Sequence, residues 1–110
     1  YKLGWVYAKD KEFSRAIKNF KKAIEFDESL TGAYNNLGNI YYTLGNRKEA
    51  AKYYCRALER DPEMTDAHFN LGYIYYYQGR LKKATREFNE VLRLQPDNYK
   101  ARMMLDKMVQ

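Results

Sequence analysis

The chain has 110 residues, with 20 Lys and Arg against 14 Asp and Glu and a formal net charge of +6. No run approaches the roughly 20 continuous apolar residues of a membrane-spanning helix, and the first residues lack the charged-then-apolar layout of a secretory signal, so membrane insertion is not expected. The single cysteine, Cys55, excludes an internal disulfide and, with one histidine in the chain, leaves no metal-ligand cluster; a reducing compartment such as the cytoplasm is the expected location.

The sequence superposes on itself when shifted by 34 residues, which divides it into windows 1–30, 31–64, 65–98 and 99–110. In the first window Leu3, Val6 and Tyr7 recur at helical spacing. A turn is expected at Asp10-Lys11-Glu12, with Lys11 where the later windows carry Gly45 and Gly79. Ser14 is the expected cap of a second helix whose buried stripe is Ala16, Phe20, Ala23 and Ile24. That helix ends near Phe26, where Asp27-Glu28-Ser29 replaces the helix-stopping proline of the other windows and must break it by local side-chain hydrogen bonding.

The second window predicts a helix over 33–44, with Tyr34, Leu37, Tyr41 and Leu44 inward, a Gly45-Asn46 turn, and a helix over 47–60 closed by Asp61-Pro62. Gly38 and Gly72 are read as crossing points, with the small Ala50 and Ala84 receiving the contact. The third window repeats this layout over 67–94, with His68 in an aromatic slot. His68 is read as a packing residue, because no nucleophile or carboxylate is spaced to work with it. A closing helix over 99–110 carries Ala101 and Leu105 but Asp106 in place of the glycine, as expected of a capping helix. The start at Tyr1, inside a helix and without an initiator Met, suggests a piece of a longer protein.

The shared punctuation is Tyr34, Leu37-Gly38, Tyr41, Gly45, Ala50, Tyr54, Ala57 and Pro62, then His68, Leu71-Gly72, Tyr75, Gly79, Ala84, Phe88, Val91 and Pro96. Before them stand Leu3-Gly4, Tyr7, Ala16, Phe20 and Ala23. This pattern resembles the tetratricopeptide repeat over the whole chain. The resemblance implies an all-α fold, a right-handed superhelical α-solenoid of antiparallel helix pairs, with two full repeats, a truncated first repeat and a closing helix. It also implies that the first helix of each pair lines a concave groove. The residues left over from the buried stripe on those helices include Trp5, Lys9, Asn36, Asn39, Phe69, Asn70, Tyr73 and Tyr77. Large aromatics give contact area at low entropic cost, and amides can clip the main chain of a bound peptide, so these residues are the candidate peptide-binding site.

Most of the basic residues fall on the second helix of each pair, interleaved with Glu12, Glu25, Glu49, Glu59, Glu87 and Glu90, which reads as a solvated face rather than a nucleic-acid stripe. One subgroup of the family captures the C-terminal carboxylate of chaperones with Lys, Asn, Asn, Lys and Arg. Read from the first window, its slots keep only Asn36; read from the second, Asn39, Asn70 and Lys100 agree but the first Lys and the Arg are missing. A terminal carboxylate would be poorly neutralised there. With no paired carboxylates, phosphate loop or nucleophile-base pair, no catalytic residue and no cofactor is expected. The expected function is a non-catalytic module binding a peptide or helix of a partner protein. A self-assembling scaffold is the alternative, and RNA binding through aromatics beside Lys2, Lys9, Lys100 and Lys107 the weaker one.

Overall fold

The computed structural model describes the backbone of residues 2–109 and the side chains of residues 11–109. Among the described residues the regular elements are six helices: α1 (Lys2–Phe26), α2 (Thr31–Thr43), α3 (Arg47–Arg60), α4 (Thr65–Tyr77), α5 (Leu81–Leu94) and α6 (Tyr99–Met108). None of them is long and apolar enough to cross a membrane. The chain divides into two units, 1–53 and 54–110, with the boundary inside α3.

Glycine decides where helices α2 and α4 stop. Gly45 has φ +83° and Gly79 has φ +76°. At the first turn the amide of Asn46 donates to the Tyr41 carbonyl at 2.9 Å and that of Gly45 to Tyr42 at 3.0 Å. At the second, Arg80 donates to Tyr75 at 2.8 Å and Gly79 to Tyr76 at 3.0 Å. Both turns thus satisfy the last helix carbonyls in the same way, through a left-handed residue that costs a side chain about 1–2 kcal/mol.

Lys11 occupies the same slot in the first window, and the turn expected there does not form: α1 runs unbroken from Lys2 to Phe26. Among the described residues no non-glycine has positive φ. Without a glycine the backbone stays right-handed, and each further residue adds a helix hydrogen bond. Ser14, expected as a cap, therefore lies in the helix interior.

In the first unit α1 packs on α2. The predicted stripe of Ala16, Phe20, Ala23 and Ile24 is half-buried, and α2 buries Ala33, Tyr34, Leu37 and Gly38 against it. Leu44, expected inward, is exposed, because it is the C-cap and lies past the last turn that presents the stripe. Tyr41 stacks on Tyr53 of α3, centroids 5.7 Å apart and planes within 4°. Lys21 lies over the Tyr41 ring at 5.8 Å and Lys52 over Tyr53 at 5.6 Å, closing both faces of the pair with cation–π contacts. α1 ends as its sequence suggests: Asp27 Oδ1 accepts from the Ser29 amide at 3.0 Å and the Ser29 hydroxyl at 2.6 Å. Those two bonds hold the Asp27 carboxyl below its usual range.

In the second unit α5 packs against both α4 and α6. Its stripe at Ala84, Phe88 and Val91 recurs every three to four residues and joins Ala101 and Met104 of α6 in the core. Gly72 of α4 is a close-approach site, and the nearest atoms across it belong to Phe88. A Cβ there would stand 2.8 Å from Cζ of Phe88 and 2.9 Å from its Cε1. The aromatic one turn further along α5 fills the space that the missing side chain leaves. At the far end Asn98 caps α6, its Oδ1 accepting from the Ala101 amide at 3.0 Å.

His68 also departs from expectation. It is buried, and Glu87 of α5, 19 residues away in sequence, brings a carboxylate to 2.7 Å from its Nδ1. No spacing rule within one helix pairs these residues; the packing of α4 on α5 does.

Candidate functional site

Phe69, Tyr73 and Tyr77 are four residues apart on α4 and so share one face. Phe69 and Tyr73 meet edge to face at 5.0 Å, and each turns an edge contact onto the buried ring of Phe88, at 5.5 Å and 6.0 Å. Tyr77 stacks on Tyr73 with centroids 6.0 Å apart and meets Tyr76 edge to face at 5.2 Å. Aromatic pairs in these geometries add about 0.5–1.5 kcal/mol each beyond area burial, so the rings of the ladder support one another. Its far end is open to solvent, with Tyr77 60% exposed.

The opposite wall is α6. Tyr99, Lys100, Met103 and Met104 face Phe69 and Tyr73 across a groove of about 370 Å³. Met104 belongs to the core and forms the floor, whereas Met103 is 62% and Tyr99 66% exposed. Lys107, further along α6, places its Nζ over the Tyr76 ring at 5.6 Å. The lining is thus aromatic and thioether with one cation, Lys100, and no carboxylate among the six lining residues. Such a surface can take up an apolar side chain between flexible methionines and ring edges. Among the described residues no group of His, Cys, Asp and Glu could hold a metal ion.

The structure brings three of the predicted residues, Phe69, Tyr73 and Tyr77, onto this one face. Asn70 is half-buried beside them, but its Nδ2 donates to the Tyr54 hydroxyl at 3.0 Å, tying α4 to α3. Asn36 and Asn39 are exposed on α2 in the first unit. The side chains of Trp5 and Lys9 lie outside the described residues. The groove residue that sequence reasoning passed over is Tyr99. A signal existed, since its register positions in the two preceding windows hold Thr31 and Thr65, and a bulky ring at a threonine slot breaks the repeat.

A family model described as tetratricopeptide repeat matches residues 35–99, more than half of the chain, and a second, described as TPR repeat, matches residues 4–45. The chain belongs to the tetratricopeptide-repeat family. No curated protein matches the sequence. Among solved structures, this tetratricopeptide-repeat chain is similar to the first such domain of Spaghetti bound to an HSP90 peptide, with 24% identity and a TM-score of 0.82 over 99% of this chain and 86% of that one. It is also similar to MamA, with 25% identity and a TM-score of 0.79 over 94% of this chain. A third is YrrB, described as having an unusual peptide-binding site, with 28% identity and a TM-score of 0.73 over 93% of this chain. The chain spans 61% of MamA and 53% of YrrB. The fold is accordingly an all-α helical repeat of paired antiparallel helices.

Proposed function

We propose that this tetratricopeptide-repeat protein binds a peptide or helix of a partner protein, using the α4–α6 groove of the second unit as its anchoring site. The observation that carries this reading is the pre-stacked ladder of Phe69, Tyr73 and Tyr77 opening onto a groove walled by Tyr99, Lys100 and Met103. Rigid aromatics lose little entropy on binding, and one buried anchor at such a site is worth about 2 kcal/mol or more. Asn36 and Asn39 are proposed as polar contacts on α2, and Trp5 as an aromatic anchor and Lys9 as a further groove residue by their register in the repeat. The description of Spaghetti as bound to an HSP90 peptide, and of YrrB as having an unusual peptide-binding site, supports a peptide as the class of partner.

The test is a selection from a displayed library of protein-derived peptides, run on the wild type and on a Tyr77→Ala/Met103→Glu variant. Both side chains are largely exposed, and circular dichroism checks that the variant is folded; Tyr73 and Asn70 are left intact because they hold contacts to the buried Phe88 and to Tyr54 and would confuse binding with stability. A shared motif recovered by the wild type and lost by the variant supports the groove. Identical binders on both, or none on either, would refute it.

A further inference from the structure

The chain's one histidine meets a hydrogen-bond acceptor at each ring nitrogen. His68 stands near the start of α4 and is 8% exposed. Its Nε2 lies 2.7 Å from the Pro62 carbonyl oxygen in the α3–α4 connection, and its Nδ1 lies 2.7 Å from Glu87 Oε1 on α5. A carbonyl oxygen and an ionised carboxylate only accept, so each nitrogen must donate a proton, and a ring protonated at both nitrogens is a cation. We infer that His68 is a proton-operated clamp, which when protonated ties α4 both to the α3–α4 connection and to α5, and on deprotonation must give up one of the two contacts.

The surroundings favour the proton. α5 presents two acids to the ring, Glu87 and Glu90. The hydrogen bond to Glu87 raises the His68 pKa above its ordinary value; burial opposes this, and the Pro62 carbonyl and the two glutamate charges add to the rise. Glu87 is faced in turn by Cys55 of α3 and Tyr75 of α4; Glu59 of α3 and Lys83 of α5 act on Cys55, and Lys83 places its Nζ over the Tyr75 ring at 5.5 Å. Burial, the main cause in both, pushes the Cys55 thiol up and the Tyr75 phenol up to about 12, so both stay neutral and leave the charge on Glu87 to the imidazolium. The remaining acid of α4, Asp66, is exposed in its first turn.

The clamp adjoins the aromatic ladder along both helices. His68 precedes Phe69 and Glu87 precedes Phe88, whose rings meet at 5.5 Å, so the proton sets how firmly α4 seats on α5 at that contact. Because the folded pKa is raised, the stabilisation is complete below the unfolded value of about 6.5 and is lost as pH rises through the folded value.

A lone histidine gives unambiguous ring C–H signals in a proton NMR titration. The expected midpoint lies above about 6.5 in the wild type and moves down in Glu87→Gln, which keeps the side chain's size and removes its charge. In parallel, the thermal unfolding midpoint of the wild type should fall as pH rises through the same window, and His68→Gln should lose that slope. A wild-type midpoint at or below the ordinary value, a midpoint that Glu87→Gln leaves in place, or equal slopes in wild type and His68→Gln would each overturn the clamp. Should Glu87→Gln not fold, the wild-type midpoint and the comparison of slopes decide.

Discussion

Replacing Gly72 by alanine tests how the second unit is packed. The new Cβ would stand 2.8, 2.9 and 3.0 Å from three carbons of the Phe88 ring, where carbon atoms in contact normally keep about 3.5–4.0 Å. The ring would have to retreat by about 0.5–1 Å. It has little room, since Phe88 is fully buried and the edges of Phe69 and Tyr73 already press on it. Overpacking of this kind costs about 1–3 kcal/mol, and alanine returns about 0.5–1 kcal/mol of backbone entropy relative to glycine. The expected net loss is up to about 2.5 kcal/mol and centres near about 1 kcal/mol, read as a lower urea midpoint at unchanged slope. Gly32→Ala is the control, because a Cβ there meets nothing within 4 Å and only the entropic gain remains. In a double-mutant cycle with Phe88→Leu, the Gly72→Ala step should cost less than it does alone, with a coupling of about 0.5 kcal/mol or more. Equal stability of Gly72→Ala and Gly32→Ala, or strict additivity in the cycle, would refute the contact.

Three further predictions concern other parts of the chain. Lys11→Gly separates a continuous α1 from a hairpin: in a helix interior it costs about 1 kcal/mol, whereas at a left-handed turn it would stabilise, so denaturant unfolding decides the matter by sign. Gly79→Ala, at a true left-handed turn, should cost about 1–2 kcal/mol in the same assay. Cys55 is half-buried with its thiol pushed up by burial, so at pH 8 it should react with a disulfide reagent much more slowly in the folded chain than in urea. Equal rates in the two conditions would contradict its placement beside Tyr75.

Much of the fold was legible because its determinants are local. Gly45 and Gly79 mark turns through their own freedom of φ, and Asp27 breaks a helix through a serine two residues away. The stripe of Ala84, Phe88 and Val91 follows from the helical period alone. The same local logic misjudged residues 10–12, where the absence of glycine let a helix continue through a position that the repeat reserves for a turn.

What the sequence by itself determined is the family, the helices from residue 31 onward and the aromatic face of α4, since each is written in the spacing of residues along one element. What only the tertiary structure decided is which side chains from different helices meet. Phe88 fills the space beside Gly72, Asn70 is committed to Tyr54, Tyr99 faces Phe69 and Tyr73 across the groove, and His68 finds Glu87. Periodicity places a residue on a face, but the partner across that face depends on how two helices are rotated and shifted against each other. That setting is fixed by the sum of many packing contacts, which no short stretch of the chain contains.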